Sequence, residues 1–395
     1  MNTSNPKVLE EYGRKQGFED VRFGKASKFK ETPVIDRKHG LGIKTSLDWL
    51  KLSNLEIHNT TDFLVEHEKY YDEGKVLVFE GSKIDGLDLP GMSKIRQEFF
   101  KNFRNSWGGW KEKIEYLHEL VSKTRLIYIP SDTLLEDTVF LRKILKGNCF
   151  EQNFIYVGKN SKVNIYYKVL NDKEGVGTDF LNVYVDENAT LNLVNNKDLT
   201  KDYYLHSKNL SVAGDNSTMN ITTADFGGKL IVNDTLVRLE GRGSSANTSN
   251  VYYCEEEEYD LSCTSEHVGR NSYSLLNSKG AVKRGKALVR GLVKITKPAF
   301  DSNGYQQSDA LILDEKGKIT SIPDLEIHND QVKCSHGSTV SRLEEEKIFY
   351  MRSRGVSEEE AEKKLIEGFY YPLLENLPEE SRNTLHKRLI NKILQ

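Results

Sequence analysis

The sequence predicts a mainly β fold, either a two-sheet sandwich or a parallel β-helix, with helical segments before and after it. Two observations lead there. From about residue 125 to 338 the chain runs through TRLIYIP, NFIYVG, KVNIYYKV, FLNVYVDENATLNLV, TMNITTADF, GKLIVNDTLVRL and ALVRGLVKI, short stretches of period-2 alternation rich in Val, Ile and Tyr. No helical segment separates them, which excludes a βαβ sheet. Turns such as DENAT, GDNST and GRGSS punctuate the runs once or twice in roughly 20–25 residues. That rhythm suits a sandwich, or a β-helix whose rungs bury their inner face only by stacking. Periodicity leaves the two open, and no fixed-length repeat is read.

Residues 1–124 read mainly as helix and loop. Ile95, Phe99 and Phe103, then Trp110, Ile114, Leu117 and Val121, recur at helical spacing around a break at Gly108 and Gly109. The simplest arrangement is one amphipathic hairpin packed on the rest of the molecule. Residues 125–338 form the β core and 339–395 a C-terminal helical domain. Within the latter, 342–354 is a helix stopped by Gly355, a residue that accepts the left-handed conformation. Ser357 to Glu360 is a capping box. Ala361, Leu365, Ile366 and Phe369 then make an apolar stripe halted near Pro372, and a last helix covers about 379–394.

Composition describes a globular chain of 395 residues, 37% hydrophobic and 29% charged. Its formal charge of −3 supplies no basic face for nucleic acid. No apolar run reaches the ~20 residues that span a bilayer, and the N-terminus has no apolar stretch of a signal peptide. The sequons at Asn216 and Asn247 therefore read as chance. Cys149, Cys254, Cys263 and Cys334 are widely spread, as reduced cytoplasmic thiols are.

The chemistry on offer is thin. GAVKRGKA (280–287) has the spacing of a phosphate loop but carries Ala287 where the motif needs Ser or Thr, and it continues into a strand, so a Gly-rich turn is expected. The run Glu255–Glu258 reads as a solvated turn, and His267 as a hydrogen-bonded structural residue. In VKCSHG (332–337) an extended backbone projects Cys334 and His336 from one face. A thiolate beside an imidazole suits a soft or borderline metal such as iron, and a buried Cys beside a capping His is the bland alternative.

PDLEI (323–327), DQVKCSHGST (330–339) and IFYMRSRG (348–355) resemble the C-terminal signature of the SufB/SufD family of iron–sulfur cluster assembly proteins, in the family's order. EHVGRNSYS (266–274), RGLVKI (290–295) and YQQSD (305–309) extend the resemblance upstream, and TSLDW (45–49) is its best N-terminal fragment. The resemblance implies a right-handed parallel β-helix flanked by helical domains, pairing through the β-helix, and binding of an ABC-type ATPase, SufC. A nascent cluster would sit near the pair's interface. Where the B-type member has a Cys and a Glu, this sequence has Ser308 and His336, as the D-type member does. The B-type N-terminal cysteine motif is not read here either. The expected role is a cytoplasmic, non-catalytic D-type scaffold with no stable cofactor. His336, with Cys334 as helper, lends a ligand to a transient cluster opposite a B-type subunit, or opposite a second copy of this chain. The ATPase would dock on the C-terminal helices. A self-sufficient homodimeric B-like scaffold is the nearest alternative, and a β-helix enzyme acting on polysaccharide is the alternative from another class.

Overall fold

The structure, a computed structural model, describes residues 3, 6–17, 26–39, 44–47, 51–52, 55–66, 73–97 and 103–393. Phe99, Asp48, Trp49 and Leu394, which the sequence reading used, lie outside the described residues. Near the N-terminus, β1 (Arg37–Lys38) pairs antiparallel with β2 (Lys44–Thr45). Two further strands follow, β3 (Thr60–Glu66) and β4 (Leu77–Glu80).

From Lys123 to Arg342 the chain winds as a parallel β-solenoid of about eight turns, each giving one strand to each of two sheets. The odd sheet stacks β5 (Lys123–Ile129), β7 (Cys149–Val157), β9 (Gly175–Val185), β11 (Tyr203–Ala213), β13 (Leu230–Leu239), β15 (Glu258–His267), β17 (Lys286–Ile295) and β19 (Lys318–Ile327). The even sheet stacks β6 (Leu134–Lys146), β8 (Lys162–Asn171), β10 (Thr190–Leu199), β12 (Thr218–Gly227), β14 (Ser245–Cys254), β16 (Tyr273–Val282), β18 (Asn303–Ile312) and β20 (Lys333–Arg342). All these neighbours pair in parallel. The alternation therefore belongs to a solenoid and not to a sandwich.

Register explains the core. Val163, Leu191, Met219 and Ala246 lie over one another in successive even strands, all fully buried. Their like-facing neighbours from both sheets fill one hydrophobic interior. A repeat invisible to simple periodicity sets the winding. Asp132, Asn160, Asn188, Asn216, Gly243, Asn271 and Asp301 all have φ between +52° and +70°, at steps of 27–30 residues. Asn, Asp and Gly tolerate this left-handed conformation, so each can turn the chain from an odd strand to the next even one. The backbone N–H of each donates to a carbonyl of the following turn, as from Asn160 to Glu187 and from Asn188 to Asp215, both at 3.0 Å. The two sequon asparagines have structural work of this kind. Asn216 is one of the turn residues, and Asn247 donates its amide to Asn220 at 2.8 Å in a side-chain ladder.

The N-terminal region differs from a plain helical hairpin. β3 pairs antiparallel with β6 and β4 with β5, so residues read as loop extend both sheets. Each is one short strand with no like neighbour in sequence, which is why the period-2 signal did not single it out. The surrounding helices pack on the outer face of the odd sheet. Leu9, Phe29 and Leu117 meet Phe150, Tyr204 and Val232, while Phe103 and Trp110 meet Phe180 and Leu210. Gly108 and Gly109 both have positive φ and break the helices where the sequence indicated.

The helices Glu345–Ser353, Glu358–Leu374 and Glu379–Ile393 follow β20. Gly355, at φ +87°, ends the first of them, and the Ser357 hydroxyl accepts from the Glu360 N–H at 3.2 Å. The second runs two residues past Pro372 before it stops. These helices lie along the side of the solenoid and do not cap its end. Ile366, Tyr370, Leu373, Leu385 and Leu389 cover the outward residues Tyr166, Val194, Phe226 and Tyr253, and the Tyr370 hydroxyl donates to the Tyr252 carbonyl at 2.6 Å.

Candidate functional site

At its last turn the solenoid stops with its inward face uncovered. In β18 the inward positions Gly304, Gln306, Ser308 and Ala310 are all buried. Register sets Cys334 over Gly304, His336 over Gln306, Ser338 over Ser308 and Val340 over Ala310. Cys334 and His336 therefore share the inward side of β20, as period-2 reasoning requires. Because no later turn is stacked on them, His336 and Ser338 are exposed, Val340 is 44% exposed and Cys334 half-buried. Opposite them, β19 turns Ile319, Ser321, Pro323, Leu325 and Ile327 inward by the same register. Leu325 and Ile327 stay 37% and 39% exposed.

The immediate surroundings are tailored to the two donors. A Cβ on Gly304 would fall 2.5 Å from Val293 Cγ1, 3.3 Å from His267 Nε2 and 3.5 Å from Cys334 Sγ, so only glycine leaves these groups their space. Cys334 rests on Val293, Ile295 and Ala299, and this burial pushes its thiol up. Next to His336, Ser338 donates to Ser321 at 2.9 Å and Ser321 to Ser308 at 3.1 Å. Ser308 is thus held by another hydroxyl within the interior.

The other sequence candidates lie elsewhere. His267 is fully buried, with Nδ1 and Nε2 each 2.8 Å from a hydroxyl, those of Ser272 and Ser274, and burial lowers its pKa to about 4. It is a neutral structural imidazole. Cys263, four residues earlier on the same strand, is about 13 Å away along an extended backbone. Burial pushes Cys149 and Cys263 up to about 12 and Cys254 well up, and Cys254 donates to the Glu257 carbonyl at 3.0 Å. Fully enclosed thiols held protonated in this way are poor ligands, whereas the half-buried Cys334 keeps a side open at the last turn. The run Glu255–Glu258 is largely a turn, but Glu257 is buried, its carboxylate accepting from the Glu256 N–H at 2.9 Å. GAVKRGKA joins β16 to β17 and precedes no helix.

Chemically, the open end offers one sulfur and one imidazole nitrogen, their Cα atoms about 7 Å apart along the strand. Iron and iron–sulfur clusters take such donors. Two donors on one strand make half a ligand set, so a cluster held here needs further donors beyond this strand. Sequence reasoning put the two side chains on one face of a strand, as the register has them. It missed the rim around them, Ser321, Ser338, Leu325, Ile327 and Val340. Counting turns from the left-handed Asn and Asp positions would have exposed it, since that count places 334 and 336 on the inward side of a last turn.

A profile of the family "SUF system FeS cluster assembly, SufBD core domain" matches residues 142–369, more than half of the chain. The chain belongs to the SufBD family. It is 33% identical over 172 residues to the iron–sulfur cluster assembly protein SufB of Bacillus subtilis, covering 43% of this chain and 37% of that protein. It is also 32% identical over 168 residues to an iron–sulfur cluster assembly SufBD family protein of Staphylococcus aureus, covering 42% of this chain and 36% of the relative. The matched stretch thus spans little more than a third of either relative's length. The family match begins inside β6 and ends inside the helix Glu358–Leu374, so it takes in the open end, the first C-terminal helix and most of the second. No helix among the described residues is long and apolar enough to cross a membrane.

Proposed function

We propose that this chain is a D-type scaffold subunit of the cytoplasmic SUF machinery, itself without catalytic residues, which pairs through its open end and lends His336, with Cys334, to a transient iron–sulfur cluster. The observation that carries the reading is the uncovered inward face of the last turn. Positions buried in every earlier turn are there exposed or half-buried, and two of them are an imidazole and a thiol. In the cell the partner is a B-type subunit; in isolation it is a second copy. Ser308 and His336, at positions where the B-type pattern has Cys and Glu, favour the D-type role. The cluster is cargo in this reading, and no stable cofactor resides in the chain.

The C-terminal helices supply the surface for a SufC-type ATPase. The helix Glu345–Ser353 buries none of its residues; Phe349 and Tyr350 are 74% and 60% exposed, and Phe349 lines an open groove against the turn 312–316. Aromatic side chains left bare on a short rigid helix suit a partner surface.

The test is reconstitution with a B-type subunit and the ATPase, reading the cluster's visible absorption and its transfer to an acceptor. His336→Ala should lower cluster formation severalfold and leave the melting temperature nearly unchanged, because an exposed side chain on an edge strand carries little of the core. Normal cluster formation by the variant would remove the ligand role.

A further inference from the structure

Far from the open end, between the N-terminal layer and the outer face of the odd sheet, lies a buried group of ionisable side chains. Arg37, His39, Glu112 and Glu115 come from the N-terminal region. His206 and Lys208 come from β11, Asp234 from β13 and Asp260 from β15. Arg37 reaches both oxygens of Asp234, at 2.9 and 3.0 Å, and its Nε stands 3.4 Å from Glu112 and 3.5 Å from Asp260. Lys208 lies 3.0 Å from Glu115 and 3.1 Å from Asp234. Glu115 also accepts from the N–H groups of Lys111 and Glu112, at 2.7 Å each. His39 Nε2 is 2.9 Å from Asp260.

Among the described residues the charges do not balance. Four carboxylates face two permanent cations, and even a proton on His39 leaves one negative charge in excess. The side chains of Glu115, His206, Asp234 and Asp260 are at most 5% exposed, where an uncompensated charge costs several kcal/mol. The hydrogen bonding is incomplete as well. Glu112 Oε2, His206 Nε2, His39 Nδ1, Asp260 Oδ1 and Arg37 Nη1 are buried without a hydrogen-bond partner among the described residues. His206 is fully buried, and its Nδ1, 3.3 Å from the Tyr204 hydroxyl, stands 3.5 Å from that same Glu112 Oε2. One ligand atom from each of Glu112, Glu115 and His206 lies within 4.8 Å of the other two. Unpaired donors and acceptors concentrated at a charge deficit mark a place where something binds.

We infer that a divalent transition-metal ion of the zinc class binds between Glu112, Glu115 and His206, tying the N-terminal layer to the solenoid. Two carboxylate oxygens and an imidazole nitrogen suit such an ion. Its two positive charges offset the excess on the carboxylates. For Glu115 to turn an oxygen to the ion, Lys208 transfers its ammonium wholly to Asp234, which it already contacts. The rival occupant is a proton on Glu112, whose burial pushes it up to about 7.

Chelator-treated full-length protein titrated with Co²⁺ separates the two occupants. One equivalent should produce visible absorption, Zn²⁺ should displace it, and the metal should raise the melting temperature. His206→Ala and the isosteric Glu112→Gln should each weaken binding at least tenfold. The double variant Cys334→Ser with His336→Ala should bind as wild type does, which sets this site apart from the open end. Should His206→Ala fail to fold, Glu112→Gln gives the same reading. Absence of a saturable Co²⁺ signal overturns the inference and leaves the proton as occupant. A signal abolished only by the double variant overturns it too.

Discussion

At the first turn of the solenoid both sheet edges are covered, β6 by the antiparallel β3 and β5 by the antiparallel β4, whereas at the last turn β19 and β20 end their sheets with no further strand beside them among the described residues. The interiors differ in the same sense. Near the covered end the inward positions include Arg125, Lys143, Glu151 and Asp179, all fully buried and ion-paired. From β16 to β19, approaching the open end, no inward position holds a charged side chain, and the polar groups are hydroxyls and the amide of Gln306. An unpaired sheet edge is a template for association, which proteins cap or charge when they mean to stay alone. One end is capped by the chain's own strands and can shelter charges. The other is left as a neutral, partly apolar surface, as an end kept for a partner would be.

The largest effect should come from charging that surface. Leu325→Glu with Val340→Glu puts like charges on an interface that would meet itself, and such juxtaposition costs several kcal/mol, so roughly a hundredfold or more in pairing affinity. Sedimentation should show wild type as a dimer at micromolar concentration and the variant as a monomer. Leu134→Glu is the control, since Leu134 is 67% exposed at the covered end and its substitution should leave the mass alone. A monomeric wild type, or an unaffected double variant, would end the argument that the ends differ in purpose.

The legible and illegible parts of this molecule divide along physical lines. Alternation in runs such as KVNIYYKV reported strands correctly, because period 2 is a property of one strand. It could not distinguish solenoid from sandwich, since that depends on which strand is the neighbour, and the family resemblance supplied what periodicity lacked. The turn ladder from Asp132 to Asp301 was present as Asn, Asp or Gly before a small residue, but its step varies enough to escape a search for a fixed repeat. Cys334 and His336 on one face followed from spacing alone. Their exposure did not, because it arises from the absence of a further turn. The group around Glu112 and His206 gathers residues from Arg37 to Asp260, and only the winding brings them together.

A smaller effect tests the covered end. Arg125 lies 2.9 Å from Glu151 and 2.7 Å from Glu80, its guanidinium 4.0 Å from the centre of the Phe63 ring in β3. Arg125→Met leaves the fully buried Glu151 carboxylate without this partner, which typically costs about 3–5 kcal/mol. Adding Glu151→Leu should recover much of the loss, because a buried pair replaced by apolar groups is often close to neutral. Urea unfolding of the two singles and the double variant measures this as a coupling energy. A mild loss in Arg125→Met with no recovery in the double variant would show that the cap, and not the ion pair, carries this end.

The smallest effect concerns the neutral half of the interior, where His267 is held uncharged two strands below the open edge of the odd sheet. Its pKa of about 4 is below the 6.5 expected in the unfolded chain, because burial penalises the imidazolium. As pH falls through 6.5 the unfolded chain gains a proton that the folded one refuses until about 4. Stability from this group is therefore full above 6.5, declines between 6.5 and about 4, and is flat below. Between pH 7 and pH 5 the loss is about 2 kcal/mol, at ~1.4 kcal/mol per pH unit. His267→Gln can still hydrogen-bond to Ser272 or Ser274 but cannot take up the proton, so its unfolding free energy should lack that part of the slope. Urea midpoints at the two pH values give the comparison. Parallel pH dependence in wild type and variant would mean that His267 titrates freely, and that the interior near the open end already admits water and charge.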